Sequence, residues 1–168
     1  MNTPNKTPRL FIGIDAGRET GLAVWDAQAE RFAVLTMVDF WRALDFVLAY
    51  APDQVLVVVE DPALNAPLFD KGVRSARKRE RIAQNVGGVK RESTLLADGL
   101  ARKGYQVRRI RPRTRKLDAD AFRRLTKHQS RTSQHSRDAA MLVFGLKRVP
   151  DELDSPGALS LSLYAPPQ

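Results

Sequence analysis

Apolar and polar positions along this chain switch between a two-residue and a helical period, and the switches delimit its elements. Residues 9–15, RLFIGID, form an apolar run that closes on a carboxylate, Asp15. Gly17 and the polar Arg18-Glu19-Thr20 predict a turn. GLAVWD from Gly21 alternates and predicts a second strand, and RFAVLTM from Arg31 a third, after an AQAE turn. Three strands in succession suggest an antiparallel meander. From Asp39, DFWRALDFVLAY carries an apolar stripe through Phe40, Leu44, Val47 and Leu48, with Asp39 able to cap and Pro52 to stop the helix. QVLVVVE, residues 54–60, is continuously apolar and β-branched, the pattern of a strand covered on both faces. It too ends in a carboxylate, Glu60, followed by Asp61 and Pro62.

Residues 63–76 have no clear period and predict a loop. A long helix is expected from about Ser75 to Lys103, with Gly87 and Gly88 midway. YQVRRI, residues 105–110, predicts a fifth strand, ended by Pro112. DADAFRRLTK from Asp118 and SRDAAMLVFGLKRV from Ser136 predict two further helices. The order β-β-β-α-β-α-β-α-α implies an α/β fold: a mixed five-stranded sheet, its first three strands antiparallel, flanked by helices. The length, 168 residues, suits one domain. Its expected limits are 9–148, between a flexible N-terminus (1–8) and a Pro/Ser-rich tail (149–168).

Charge changes the picture. Residues 1–70 hold five basic and ten acidic side chains, whereas residues 71–137 hold 21 basic and five acidic ones. A basic block inside a mildly acidic frame points to a polyanion, and nucleic acid is the commonest. The chain has no cysteine, which excludes disulfides and thiolate metal sites. No apolar run approaches the roughly 20 residues that span a bilayer, and the start lacks the apolar stretch of a secretion signal. The expectation is a protein that is neither membrane-bound nor secreted, at work in the cytoplasm of a bacterial or phage-infected cell or in a DNA-containing organelle.

A carboxylate closing an apolar strand must be solvated, paired or bound to a cation. Alone, Asp15 reads as a turn residue and Glu60 is unremarkable, with Asp61 competing. As a pair they say more. If their strands are adjacent, the two ends lie within ~5 Å, and like charges that close repel unless a cation intervenes. Oxygen ligands select Mg²⁺ or Mn²⁺ over zinc. The third element is QHSRDAA, residues 134–140, where His135 and Asp138 share one helix face and Ala139 and Ala140 allow close packing. The bland alternative is a helix start with Ser136 as cap and Asp138 favoured by the dipole.

These residues carry a family resemblance. FIGIDAGRETGLAVWD resembles the first strand-turn-strand of the RuvC-type Holliday junction resolvases of the ribonuclease H-like superfamily. VLVVVEDP resembles that family's fourth strand with its catalytic glutamate, and HSRDAAMLV the C-terminal helix that supplies the last two ligands. The likeness covers about residues 9–148. It implies a ribonuclease H-like fold and two Mg²⁺ per site, Mn²⁺ being able to substitute, with Asp15, Glu60, His135 and Asp138 as metal ligands and catalytic residues. By position, Asp15 bridges both ions, Glu60 and Asp138 each complete one, and His135 serves the second. The implied substrate is branched DNA, a four-way junction cut symmetrically by a homodimer joined through the long helix. Arg111-Pro112-Arg113-Thr114-Arg115-Lys116 resembles a P-R-x-x-K segment whose lysine contacts DNA near the scissile phosphate. Arg77, Lys78, Arg79, Lys90, Arg113 and Lys116 are accordingly the expected DNA contacts. The family's aromatic wedge after the glutamate is unmatched, with Ala63 and Leu64 at that point and Phe69 further on. Its second lysine-bearing, glycine-rich segment is replaced by LDADAFRRLTK.

Three rivals stand beside this. IGIDAGRETG also resembles the first phosphate loop of sugar kinases and actin-like ATPases, which need a second lobe and a second phosphate loop that this chain does not show. A DNA-binding protein without catalysis would use the same basic block. A nuclease of the same fold could act on another branched or hybrid nucleic acid.

Overall fold

The computed structural model describes residues 9–65 and 76–147, with side chains from residue 87 onward in the second stretch. Its elements are β1 (Leu10–Asp15), β2 (Thr20–Asp26), β3 (Arg31–Val38), α1 (Phe40–Leu48), β4 (Val55–Glu60), α2 (Ala76–Arg102), β5 (Gln106–Ile110), α3 (Ala119–Thr126) and α4 (Gln134–Val143). A single 3₁₀ turn, Pro62–Leu64, follows β4 where a loop is expected. The five strands form one mixed sheet in the order β3-β2-β1-β4-β5. β1, β2 and β3 are antiparallel to one another in turn, and β4 and β5 run parallel to β1. The molecule is an α/β protein with helices on both faces of this sheet.

Two apolar layers explain the sequence pattern. On one face, Ile12, Ile14, Leu22, Val24, Val57 and Val59 pack with Val47 of α1 and Leu96 and Leu100 of α2. On the other, Phe11, Ala23, Trp25, Leu56 and Val58 pack with Phe122 of α3 and Ala139, Ala140, Leu142 and Val143 of α4. β4 is therefore buried at every position, as its unbroken apolar run requires. β2 differs from expectation: its alternation is one of size, and six of its seven residues are buried. Its small residues, Gly21 and Ala23, lie on the α4 face.

That smallness lets α4 rest on the sheet backbone to backbone. A Cβ on Gly13 would fall 2.1 Å from the Ala139 carbonyl oxygen, and one on Gly21 would fall 1.9 Å from that of His135. Ala139 and His135 are one helical turn apart, so the two glycines together form the seat of the helix.

The start of α4 corrects one expectation. Ser133, not Ser136, is the cap; its hydroxyl accepts from the Ser136 N–H at 3.1 Å, and the Ser136 hydroxyl accepts from the Ser133 N–H at 3.0 Å. This reciprocal box places Gln134 and His135 inside the first turn. The helix also stops at Val143, short of the expected end, where Gly145 adopts φ 77°. Trp25 Nε1 then donates to the Leu146 carbonyl at 3.0 Å, tying the exit of α4 to β2. α1 begins as expected, with Asp39 accepting from the Arg42 N–H at 3.0 Å. Among the described residues no helix is long and apolar enough to cross a membrane. The N-terminal segment, the whole C-terminal tail and Phe69 lie outside the described residues.

Candidate active site

Asp15 and Glu60 are register partners on adjacent parallel strands. Paired residues in a sheet face the same side, so both carboxylates share the α4 face with Gly13 and Val58. Asp15 is 9% exposed and Glu60 8%. The glycine seat then fixes what α4 brings to them. His135 lies over Gly21, the antiparallel partner of Asp15, and its Nδ1 is 2.9 Å from Asp15 Oδ2. Asp138, one turn along the same helix face, is equally buried. Lys116 reaches in from the segment between β5 and α3, and its Nζ donates to Asp138 Oδ2 at 2.5 Å.

The electrostatics are those of acids crowded in a dry place. Burial raises the Asp15 carboxyl above the ordinary range, against the hydrogen bond and charge of His135, with Asp138 adding to the rise. Glu60 is pushed up to about 7, by burial first and by the Asp15 charge second, while Lys116 and Arg113 pull the other way. Burial alone would lower the Lys116 ammonium, but the hydrogen bond and charge of Asp138, helped by Asp15 and Glu60, raise it. Lys116 is thus the cluster's own counter-charge. A cleft opens beside it, lined by Glu60, Asp138 and Met141 on one side and by Arg113, Arg115, Lys116 and Leu117 on the other.

Asp61 is separated from this cluster by its position on the opposite face of β4. It is fully buried, accepts from Arg109 Nε at 2.6 Å and from the Ala63 N–H at 2.9 Å, and forms an ion pair with the same guanidinium. Arg109 also reaches Thr94 and Asp98 of α2. Asp61 therefore fastens the end of β4 to β5 and α2.

Of the expected DNA contacts, Lys116 stands in the cluster and Arg113 at the cleft. Lys90 follows Val89, whose methyl lies 4.0 Å from where a Cβ on Gly17 would be, so it stands at the Asp15 end of the sheet. The side chains of Arg77, Lys78 and Arg79 lie outside the described residues, although their backbone belongs to α2. Four residues at the site escaped the sequence reading: Gly13, Gly21, Gln134 and Arg137. The glycines carried a signal, since glycine within a strand marks a close approach. Gln134 and Arg137 carried none, because their role depends on contacts across the fold.

The donor set suits a hard divalent cation: three buried carboxylates and one imidazole at a single end of the sheet, two of the carboxyls raised above their usual range by burial. Among the described residues, no three acidic or imidazole side chains converge as ligands of one ion; Asp15 is turned onto His135 and Asp138 onto Lys116. Neither protein-family models nor curated proteins yield a match to this chain.

Proposed function

We propose that this chain is a metal-dependent DNA endonuclease with a ribonuclease H-like fold that resolves four-way junctions in the manner of the RuvC-type resolvases. The observation that carries the reading is the Asp15–Glu60 register pair, over which α4 lays His135 and Asp138. The strand order β3-β2-β1-β4-β5, with the acids on the two parallel strands at its centre, supports the fold assignment. Two Mg²⁺ or Mn²⁺ ions would be held by Asp15, Glu60, His135 and Asp138. Such ions, when bound, activate a water and neutralise charge on the phosphoryl group and the leaving 3′ oxygen.

The chain's own residues contribute the rest. Burial of the three carboxylates keeps them in low dielectric, where their attraction for a cation is strongest. Lys116 has a half-exposed side chain, long enough to exchange Asp138 for a phosphate oxygen. Arg113 and Arg115 line the same wall and offer planar forks to neighbouring phosphates. A twofold dimer through α2 belongs to the same reading. No described residue lies within 4 Å of a Cβ placed on Gly87 or Gly88, and Leu95, seven residues after Gly88 and 57% exposed, continues that stripe.

The test is cutting of a labelled four-way junction in Mg²⁺, set against duplex, flap and RNA–DNA hybrid substrates and against Asp15→Asn. The reading expects paired nicks in the junction that a ligase can seal, lost in Asp15→Asn. Efficient cutting of the hybrid alone would move the substrate assignment to another nucleic acid. One observation favours a second reading, a DNA-binding protein without catalysis: the turning of Asp15 onto His135 and of Asp138 onto Lys116. Junction binding without cutting, unchanged by Asp15→Asn, would establish it.

A further inference from the structure

Arg137 precedes Asp138 on α4 and is 9% exposed, yet among the described residues its guanidinium hydrogen-bonds to no carboxylate, and Asp118 acts on it through charge. Nε donates to the Leu117 carbonyl at 3.1 Å. Nη1 donates to the Thr132 carbonyl at 2.9 Å and to its hydroxyl at 3.1 Å. Nη2 donates to Gln134 Oε1 at 2.8 Å. Enclosing a guanidinium whose hydrogen bonds all go to neutral acceptors is costly, and the Asp118 charge offsets part of that cost. The helix start does not need it, since Ser133 and Ser136 already satisfy the first turn.

The fork makes two connections that matter to the site. Leu117 directly follows Lys116, so Arg137 fastens the backbone beside the lysine to the helix that carries Asp138. The second connection acts through Gln134. Arginine can only donate, so its bond to Oε1 dictates which way round the amide sits. The amide nitrogen is thereby aimed at Asp138, and Nε2 donates to Oδ1 at 2.8 Å. With Oδ1 engaged, Oδ2 is the oxygen that meets positive charge, here Lys116.

We infer that Arg137 and Gln134 are positioning residues: Arg137 locks the Gln134 amide, and the locked amide orients the Asp138 carboxylate for a divalent cation. This rests on the endonuclease reading for the cation and adds the two residues that aim one of its ligands. Partners of a metal ligand that fix its orientation typically cost about 10- to 100-fold in metal affinity or activity when replaced.

The experiment is calorimetric titration of the metal-free full chain with Mn²⁺, without DNA, beside junction binding in chelator. Gln134→Met keeps the length of the side chain and removes both hydrogen bonds; its Mn²⁺ affinity is expected to fall by about 10- to 100-fold, with junction affinity in chelator unchanged. Arg137→Lys keeps the charge and loses the fork, and should weaken Mn²⁺ similarly. The double variant should be no weaker than the worse single one, because both break one relay. Wild-type affinity in Gln134→Met, or losses that multiply in the double variant, would overturn the inference. Should Arg137→Lys fail to fold, Gln134→Met decides alone. A wild-type chain that binds no Mn²⁺ would instead overturn the endonuclease reading, and this inference with it.

Discussion

Gly21 and His135 meet through their backbones, at a spacing that leaves no room for even one methyl group: a Cβ on Gly21 would stand 1.9 Å from the His135 carbonyl oxygen. The obstacle is backbone, which has no rotamer by which to yield, so α4 itself must move. Gly21→Ala is expected to destabilise the fold by about 1–3 kcal/mol, the usual result of overpacking. Folded Gly21→Ala protein should also lose junction cutting, since the shift displaces His135 from Asp15. Gly87→Ala is the comparison, measured at a concentration where the chain is monomeric, because no described residue lies within 4 Å of that position; there alanine should raise helix stability by up to about 1 kcal/mol. Thermal unfolding of the two variants side by side checks both outcomes.

Lys116 supplies positive charge to three acids, so its removal should strengthen their hold on another cation. For Lys116→Met, divalent-cation affinity in the absence of DNA is expected to tighten by about fivefold, the equivalent of about 1 kcal/mol for an ion pair with one half-exposed partner. Junction cutting should fall in the same variant, by on the order of 10², as expected when a charge aimed at the phosphate is lost. Calorimetry and single-turnover cutting measure the two effects separately. Weaker cation binding in Lys116→Met would contradict the counter-charge role.

The raised carboxyls give stability a definite slope with pH. Glu60 has its pKa lifted from 4.5 to about 7, so the folded chain binds that proton more tightly than the unfolded one. Its stabilising contribution is complete below the unfolded value and is lost as pH rises through the folded one. Asp15 is raised as well and acts in the same direction. In chelator, the unfolding temperature should therefore decline from pH 5 to pH 8, and Glu60→Gln should flatten the decline. Added Mg²⁺ should raise the unfolding temperature more at pH 8 than at pH 5, because cation and proton compete for the same oxygens.

Asp61 offers the opposite separation, of stability from chemistry. Asp61→Ala takes from Arg109 its buried partner, leaving Asp98 and Thr94, and frees the turn after β4, at an expected cost of about 2 kcal/mol once the partial exposure of Arg109 is allowed for. At a temperature where the variant is folded, junction cutting should stay within a few-fold of the wild type. A loss as deep as that of Glu60→Gln would place Asp61 in the chemistry after all.

Why some of this was legible in the sequence follows from which interactions are local. β1 and β4 announce themselves because a strand buried on both faces must be apolar throughout. The polar residue that ends each run, Asp15 or Glu60, is conspicuous for the same reason. The His135–Asp138 spacing is a property of one helix and survives transfer from sequence to structure. The cap of α4 was misplaced by three residues because serines at 133 and 136 satisfy each other, and either alone could have begun the helix. The alternation of β2 predicts the strand but not that the alternation is one of size, since nothing local reveals that a helix backbone lies on Gly21. Arg137 looked like one more member of a basic block. Only its burial against Leu117, Thr132 and Gln134 distinguishes it from the solvated arginines around it.

Asp15 and Glu60 stand side by side in the sheet, yet a hairpin, a third strand and α1 intervene between them along the chain. Their meeting depends on a long-range parallel pairing, a late and slow kind of contact in folding. On the endonuclease reading, a nascent or partly unfolded molecule would display its basic segment before it owned anything that could break a strand. Under the proposed activity, harm to the genome is thereby withheld until the whole sheet has closed.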